Sequence, residues 1–578
     1  MTVASNAPMA DEGCASGDQR HRPPAPPAPA STPRSAAAVR PSALLSLDAV
    51  WLAATLAFAF LVGTLLQADQ TDYWWTVKLG QELLASGHLP TADPLSFTAT
   101  RQPYVEQQWL AQLILGATHQ LGGLEAALLL RGVLLVLSVG LLYHLCRVRG
   151  APASAACAAC GLALLSVVGG AAIRPQLLAI PLFMIFLAGT TVWLRHRWVL
   201  AVLPLTMVAW ANLHGSFPLG IALIGAALVG TAITTFQRQG QDGERQEAPA
   251  SDAQSLGGLP ALRRLGLLLL LCGLAPLANP YGLGILPWLA DYLTFNTGGT
   301  GLSTLSIEWL PTSIGTAHGV LFFASVLLLV AVLLRVGPPS PADCLRLLGF
   351  ALLALQAVRS TVWWALAAAP VLAWALANLR VGGARPATAA AARDAPSPVA
   401  SASRAGIPTI NAALIAAFVL TAALSLPWLR PLGLLYPPAR WPVADPRLPT
   451  GAADFAATLP ATRLYNTMDW GGYLAWRLAP RQRIFVDGRF QLYQPELYRD
   501  YFAIAHAELG WADKLAAYGV EALLVSRQAQ RELLRAAEAD GSWQAVYCDA
   551  DAAVYLPRAQ AAGRTVACGP ASDERRGS

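Results

Sequence analysis

Charged residues are scarce in this 578-residue chain: they make up 13% of it, against 55% hydrophobic residues, and the mean hydropathy is +0.45. So little polar surface cannot enclose that apolar content in water, which excludes a soluble globule and makes the bilayer the solvent. Signatures of several site chemistries are missing too. There is no Cys/His cluster with zinc spacing, no P-loop, no GxGxxG fingerprint and nothing resembling a soluble nucleotide-sugar site. The formal charge of +6 does not imply nucleic acid as a partner, because the arginines sit at the ends of apolar segments instead of forming one basic patch.

What is present is a series of long apolar runs. Segments of membrane-crossing length are expected at 43–66, 122–146, 152–172, 176–194, 198–213, 217–236, 264–280, 316–335, 344–358, 361–379 and 408–428, about eleven in all. Residues 1–41, rich in Pro, Ala and Ser, read as a disordered cytoplasmic tail, and the first apolar run starts too far in for a cleavable signal peptide. With the N-terminus cytoplasmic, the inner ends carry Arg147 with Arg149, Arg195 with Arg197, Arg238 with Arg263 and Arg264, Arg335 with Arg346, and Arg380 with Arg404. Residues 67–121, 281–315 and 430–578 then lie outside, which predicts a multi-pass inner-membrane protein with a periplasmic C-terminal domain. The segment 237–262 reads as a polar cytoplasmic loop and 381–406 as a disordered linker.

The expected fold is thus an α-helical polytopic membrane domain over 42–429, a proline-rich neck at 430–446, a small α/β soluble domain at 447–560, and a disordered tail at 561–578. In the soluble domain, Arg463–Tyr465 and Arg483–Val486 read as strands flanking a helix that starts near Trp470. Glu521–Ser526 reads as a third strand, and Trp543–Cys548 with Ala552–Leu556 as a closing hairpin. An oxidising compartment allows a disulfide between Cys548 and Cys568, whereas Cys157, Cys160 and Cys272 lie in apolar runs.

Polar residues beside the apolar runs mark the site. Arg174, Asn212, His214, Asn279, Glu308 and Arg359 all fall at outer ends of spans in this topology, and together they imply an outward-facing polar cavity. The first outer loop, 67–121, contributes two short helices. Trp75, Leu79 and Leu83 share one face of the first, and Trp109, Leu113 and Gly116 one face of the second, which suggests helices lying on the membrane surface with Tyr73, Trp74 and Trp75 at the interface. They would hold Asp72, Asp93 and Glu106 at the cavity mouth, where carboxylates can bind a divalent cation or deprotonate an acceptor hydroxyl. The competing reading makes Asp72 a helix N-cap and Asp93 a turn residue before Pro94.

The stretch Asp72-Tyr73-Trp74-Trp75, with Gly80, His88-Leu89-Pro90, Asp93-Pro94-Leu95-Ser96-Phe97 and Glu106-Gln107-Gln108-Trp109-Leu110, resembles the first loop of bacterial membrane proteins of the GT-C glycosyltransferase superfamily, which are related to protein mannosyltransferases and to lipid-A and arabinose transferases. Further similar stretches are Trp210-Ala211-Asn212-Leu213-His214-Gly215, Asn279-Pro280-Tyr281-Gly282, Glu308-Trp309, Asp469-Trp470-Gly471-Gly472-Tyr473-Leu474 and Val486-Asp487-Gly488-Arg489. The resemblance implies a polyprenyl-phosphate sugar donor, transfer outside the membrane to a glycan, lipid or protein acceptor, and a loop carboxylate as base or metal ligand. By position Asp72 and Asp93 match the catalytic role, with Glu106, Arg174, His214, Glu308 and Arg359 binding substrate. Those relatives usually begin this loop with an Asp-Glu pair, where this chain has Asp72-Tyr73. Arg174 and Arg359 suit a phosphate because guanidinium geometry matches its oxygens, or else pair with Glu308 as a structural ion pair. The alternatives are a transporter or flippase of lipid-linked saccharide, an O-antigen ligase or polymerase-like enzyme, and a non-catalytic scaffold.

Overall fold

The computed structural model describes residues 45–67, 71–99, 104–168, 172–241, 258–296, 307–379, 407–435, 444–460 and 462–561, together with 563, 564, 566 and 568. The expected tail at 1–41 and linker at 381–406 lie outside the described residues, as does most of the 237–262 loop.

Every apolar run predicted to span is helical. In chain order the helices are α1 Leu47–Leu65, α2 Thr71–Ser86, α3 Trp109–Val148, α4 Ala153–Val168, α5 Pro175–Thr191, α6 Val199–Leu213, α7 Pro218–Gln241, α8 Gly258–Leu274, α9 Ile285–Asn296, α10 Ala317–Val336, α11 Pro341–Gln356, α12 Thr361–Leu379 and α13 Pro408–Leu424. Among the described residues six are long and apolar enough to cross a bilayer: α1, α3, α7, α8, α10 and α12, with α8 and α12 each extended by a 3-10 turn. Four more, α4, α5, α6 and α13, are apolar but shorter. The remaining expected span, α11, has 16 residues and carries Asp343 and Arg346 near its start. Large apolar side chains such as Leu205, Leu270, Leu327, Leu334 and Val419 stud the outside of the bundle, as a lipid-facing surface requires. The protein is a multi-pass membrane protein. Cys157 and Cys160 have CxxC spacing, but they lie on α4 as free thiols.

Charges sort the bundle into two ends. At one end Arg147 of α3 pairs with Asp48 of α1, and Arg149 with Asp343 of α11, while Arg346 donates to the Thr190 carbonyl near the end of α5. Arg174 caps the start of the same α5, so it lies at the opposite end.

The C-terminal part adds α14 Thr450–Ala457, α15 Gly471–Leu478, α16 Pro495–Ala505, α17 Trp511–Ala517 and α18 Arg531–Asp540 around a five-stranded sheet. Its strands are β1 Thr462–Asn466, β2 Gln482–Ile484, β3 Ala522–Ser526, β4 Trp543–Cys548 and β5 Ala552–Pro557, in the order β2-β1-β3-β5-β4. The β1 strand pairs parallel to β2 and β3, while β5 runs antiparallel to β3 and β4, as a βαβ unit followed by a hairpin. Cys548 and Cys568 form a disulfide.

The first outer loop does not lie on the membrane surface as expected. Tyr73, Trp74 and Trp75 are 0%, 6% and 6% exposed, and they share a core with Leu474, Ile484 and Val554 of the C-terminal domain. Trp74 packs edge-on against Tyr473 and tilted against Trp476, with centroids at 5.3 and 4.5 Å. The aromatic row buries more area between two protein layers than it could at headgroups. The second loop helix is the first part of α3, broken at Gly122 and Gly123, where the backbone leaves helical geometry. Its buried face is Ala111, Gln112, Leu115 and Gly116, so of the predicted Trp109, Leu113 and Gly116 only Gly116 is buried, because Gly80 and Gly116 bring α2 and α3 into backbone contact.

A Cβ on Gly80 would lie 1.9 Å from the Gln112 carbonyl oxygen, whereas one on Gly161 meets nothing within 4 Å. Gly80→Val is therefore expected to cost about 1–3 kcal/mol by overpacking, or to prevent folding. The check is a lower Tm and a lower yield of detergent-extracted protein than for Gly161→Ala.

Candidate functional site

Asp72 sits in the first turn of α2, where a carboxylate is favoured by the helix dipole. Its Oδ1 accepts from Trp75 Nε1 at 3.1 Å, and its Oδ2 lies 3.5 Å from Arg174 Nη1. Arg174 in turn grips Glu308 with both terminal nitrogens, Nη1 donating to Oε2 at 2.7 Å and Nη2 to Oε1. Arg174 is thus the centre of a three-residue chain joining the first outer loop, α5 and the segment before α10. The Asp72 carboxylate stays 29% exposed and that of Glu308 33%.

Arg359 precedes α12 and lies with its guanidinium carbon 4.0 Å above the Trp309 ring, a cation–π seat, and it forms no ion pair among the described residues. Burial works against charge on Glu308, but Arg174, with Arg359 and His318 behind it, outweighs burial and holds the carboxyl below its usual range. His214, just past α6, is buried with Nδ1 2.8 Å from Ser216 Oγ. Desolvation first, then Arg359 and Arg174, push it well below the ordinary histidine value, so it is neutral at physiological pH. These effects place Asp72, Arg174, Glu308, Arg359 and His214 in one electrostatic neighbourhood.

Asp93 and Glu106 belong to a second cluster. Asp93 accepts from the Ser96 backbone N–H at 2.8 Å and hydroxyl at 2.5 Å, and its two oxygens take Arg489 Nη1 at 2.6 Å and Nη2 at 3.1 Å. Arg489 also donates through Nε to Asp487 at 2.9 Å, and Tyr493 donates its hydroxyl to Asp487 at 3.1 Å. Side-chain exposures of 8% for Arg489, 1% for Asp93 and 0% for Asp487 seal this group from water. Burial would push the Asp93 carboxyl up, but Arg489 and Ser96 prevail and hold it below its usual range. Glu106 accepts from the Tyr104 hydroxyl at 2.7 Å and is buried, and desolvation raises its carboxyl despite Tyr104 and Arg489. Its backbone N–H donates to the Tyr281 hydroxyl, and Trp109 Nε1 to Asn212, so the stretch is stitched to the membrane helices. Asn279 shapes the local turn by accepting from the Tyr281 N–H.

The expectation that Asp72, Asp93 and Glu106 share the cavity mouth is corrected. Asp93 and Glu106 are taken up by Arg489 and Tyr104 in a sealed interior, because each buried carboxylate needs a donor of its own. Among the described residues no group of three or more His, Cys, Asp or Glu side chains is placed to hold a metal ion. Sequence reasoning missed Arg489 as the partner of Asp93, although Asp487-Gly488-Arg489 stood out as a loop after a strand.

No family model matches the chain, and no curated protein matches it. Among solved structures it is similar to the archaeal oligosaccharyltransferase AglB from Archaeoglobus fulgidus, in complex with an inhibitory peptide and a dolichol-phosphate, at 12% identity over 86% of this chain and 72% of that chain, with a TM-score of 0.48. It is also similar to ArnT from Cupriavidus metallidurans bound to undecaprenyl phosphate, at 16% identity over 89% of this chain and 99% of that chain, with a TM-score of 0.46. For ArnT in the apo state the identity is 16% over 89% and 98% of the two chains, with a TM-score of 0.49.

Because the Asp93 carboxyl is held low, its contribution is complete above the ordinary carboxylate value of about 3.9 and is lost as pH falls below it. Docking of the C-terminal domain, followed by limited proteolysis in membranes, is expected to be unchanged from pH 7 to pH 5 and to weaken below about pH 4. Asp93→Asn is expected to cost about 3–5 kcal/mol at neutral pH, since it leaves Arg489 short of a buried counter-charge.

Proposed function

We propose that this chain is a GT-C-type glycosyltransferase that takes a sugar from a polyprenyl-phosphate-linked donor and transfers it to a glycan, lipid or protein acceptor on the outer side of the inner membrane. The observation that carries the reading is Asp72. It is a part-exposed carboxylate with one oxygen fixed by Trp75 and the other toward Arg174, beside an arginine without an ion-pair partner among the described residues. The loop motifs resembling that superfamily support the same reading. So does the sorting of the bundle, with arginine-rich ends on the side assigned to the cytoplasm and the cluster at the other. The eleven-span topology, a cytoplasmic N-terminus and a periplasmic C-terminal domain belong to this reading.

In this mechanism Asp72 Oδ2 takes the proton from an acceptor hydroxyl as its oxygen attacks the anomeric carbon of the donor sugar. The bond from that carbon to the phosphate oxygen breaks, and the electron pair leaves with the polyprenyl phosphate. Arg359, with Arg174 behind it, faces the developing charge on the phosphate, for which guanidinium geometry is suited. His214 is a neutral hydrogen-bonding group at the base of the site. Glu308 keeps Arg174 in place instead of competing for the proton. Asp93 and Glu106 hold the loop and take no part in the chemistry.

Asp72→Asn is expected to reduce transfer in membranes by about 100-fold or more, the usual scale for a lost general base. Arg359→Ala is expected to weaken binding of undecaprenyl phosphate by about tenfold, read on purified protein by native mass spectrometry. Wild-type transfer by Asp72→Asn would remove the base. A flippase would move lipid-linked saccharide across vesicles with no new glycosidic bond formed.

A further inference from the structure

The C-terminal domain touches the first outer loop at the base itself. Residues 95–98 of that loop run beside β2 as an added edge: Ile484 N–H donates to the Leu95 carbonyl at 3.1 Å, Phe97 N–H to the Ile484 carbonyl at 3.1 Å, and the Thr98 hydroxyl to the Phe485 carbonyl. Directly after β2 the chain enters Val486-Asp487-Gly488-Arg489. Arg489 reaches back to Asp93, and Gly488 lies against α2 so closely that a Cβ there would be 3.0 Å from Asp72 Oδ1. Gly472, at the start of α15, abuts the same turn: its Cβ would be 2.7 Å from the Thr71 carbonyl oxygen. Lys78, one turn beyond Trp75 on α2, donates to the Ala479 carbonyl at 2.8 Å.

We propose that Gly488 and Arg489 are positioning residues for Asp72, and that the C-terminal domain completes the site by setting where this carboxylate points. The inference rests on the reading of Asp72 as the base. Two opposed requirements meet in one short loop. Arg489, with its fork fixed by Asp93 and Asp487, pins the loop onto the membrane part, and Gly488 leaves only enough room for the Asp72 carboxylate and the Trp75 N–H that orients it. A lysine cannot reproduce the fork, because it offers a point charge in place of several fixed donors. The domain is therefore part of the catalytic unit and not an appended module.

The test compares Gly488→Ala, Arg489→Lys, Arg489→Gln and Asp72→Asn in membranes, together with Asp72→Cys alone and combined with Arg489→Gln. Gly488→Ala is expected to lower kcat about tenfold, with KM, undecaprenyl phosphate affinity and Tm little changed, since the site is displaced and not dismantled. Arg489→Lys is expected to retain more turnover than Arg489→Gln. Independently of turnover, the thiol of Asp72→Cys is expected to react with a methanethiosulfonate reagent about tenfold faster when Arg489→Gln is added, because the clasp over it is gone. Wild-type kcat in Gly488→Ala alongside an inactive Asp72→Asn would overturn the positioning role while leaving the base intact. An active Asp72→Asn would sink the base instead. Unchanged thiol reactivity in the Arg489→Gln background would show that the clasp does not govern position 72.

Discussion

A guanidinium removed from water must find negative charge and filled hydrogen bonds nearby, or the fold cannot bear it. Arg489 meets that demand with one carboxylate from its own domain, Asp487, and one from the first outer loop, Asp93. Parts far apart in the chain are thereby committed to one arrangement. The added edge on β2, the packing of Trp74 on Tyr473 and Trp476, and the contact of Gly488 with Asp72 all lie within this shared unit. Apolar burial contributes most of the cohesion, as the common core of Tyr73, Trp74, Leu95, Leu474 and Ile484 indicates. The ion clasp supplies register, because its forked geometry admits few alternatives.

The bilayer imposes a second constraint. Charges are tolerated only at its margins, so the bundle carries polar groups at two ends with different tasks. At one end Arg147, Arg149 and Arg346 are matched by Asp48 and Asp343 and by helix carbonyls, a structural use. At the other, Arg174 is shared between Glu308 and Asp72, and Arg359 rests on the Trp309 face. The carboxylate shared by two arginines at the first end, Asp343, is 5% exposed, whereas Asp72 is 29% exposed. At the second end one arginine serves two part-exposed carboxylates, Asp72 and Glu308, whereas at the first Arg147 and Asp48, 35% and 56% exposed, form a pair of their own.

Much of this was legible in the sequence because hydropathy and arginine placement are local signals. Every predicted apolar run is a helix, and the strands around Arg463, Arg483, Glu521, Trp543 and Ala552 form the sheet. The expectation that Arg174, Asn212, His214, Asn279, Glu308 and Arg359 face one cavity came from the cost of polar groups in hydrocarbon. What was not legible depends on contacts between distant segments. Asp93 reads as a carboxylate at the cavity mouth or a turn residue before Pro94 until Arg489 fills its oxygens, and nothing local marks Ser96 as the neighbour of Ile484. Likewise the Trp74 and Trp75 pair fits an interfacial belt equally well, and only the presence of α15 decides that it is core. The face of α3 was misjudged, Gly116 apart, because Gly80 acts through the absence of a side chain, which hydrophobic periodicity does not register.

The central claim, that one end of the bundle holds a lipid-phosphate site closed by a domain that positions Asp72, is tested most directly by an experimental structure in lipid nanodiscs with undecaprenyl phosphate. The phosphate is expected against Arg359, on the same side as Asp72, with Arg489 still bridging Asp93 and Asp487. A phosphate bound at the Arg149 and Arg346 end, or an Asp72 carboxylate turned away from it into the protein, would contradict the account.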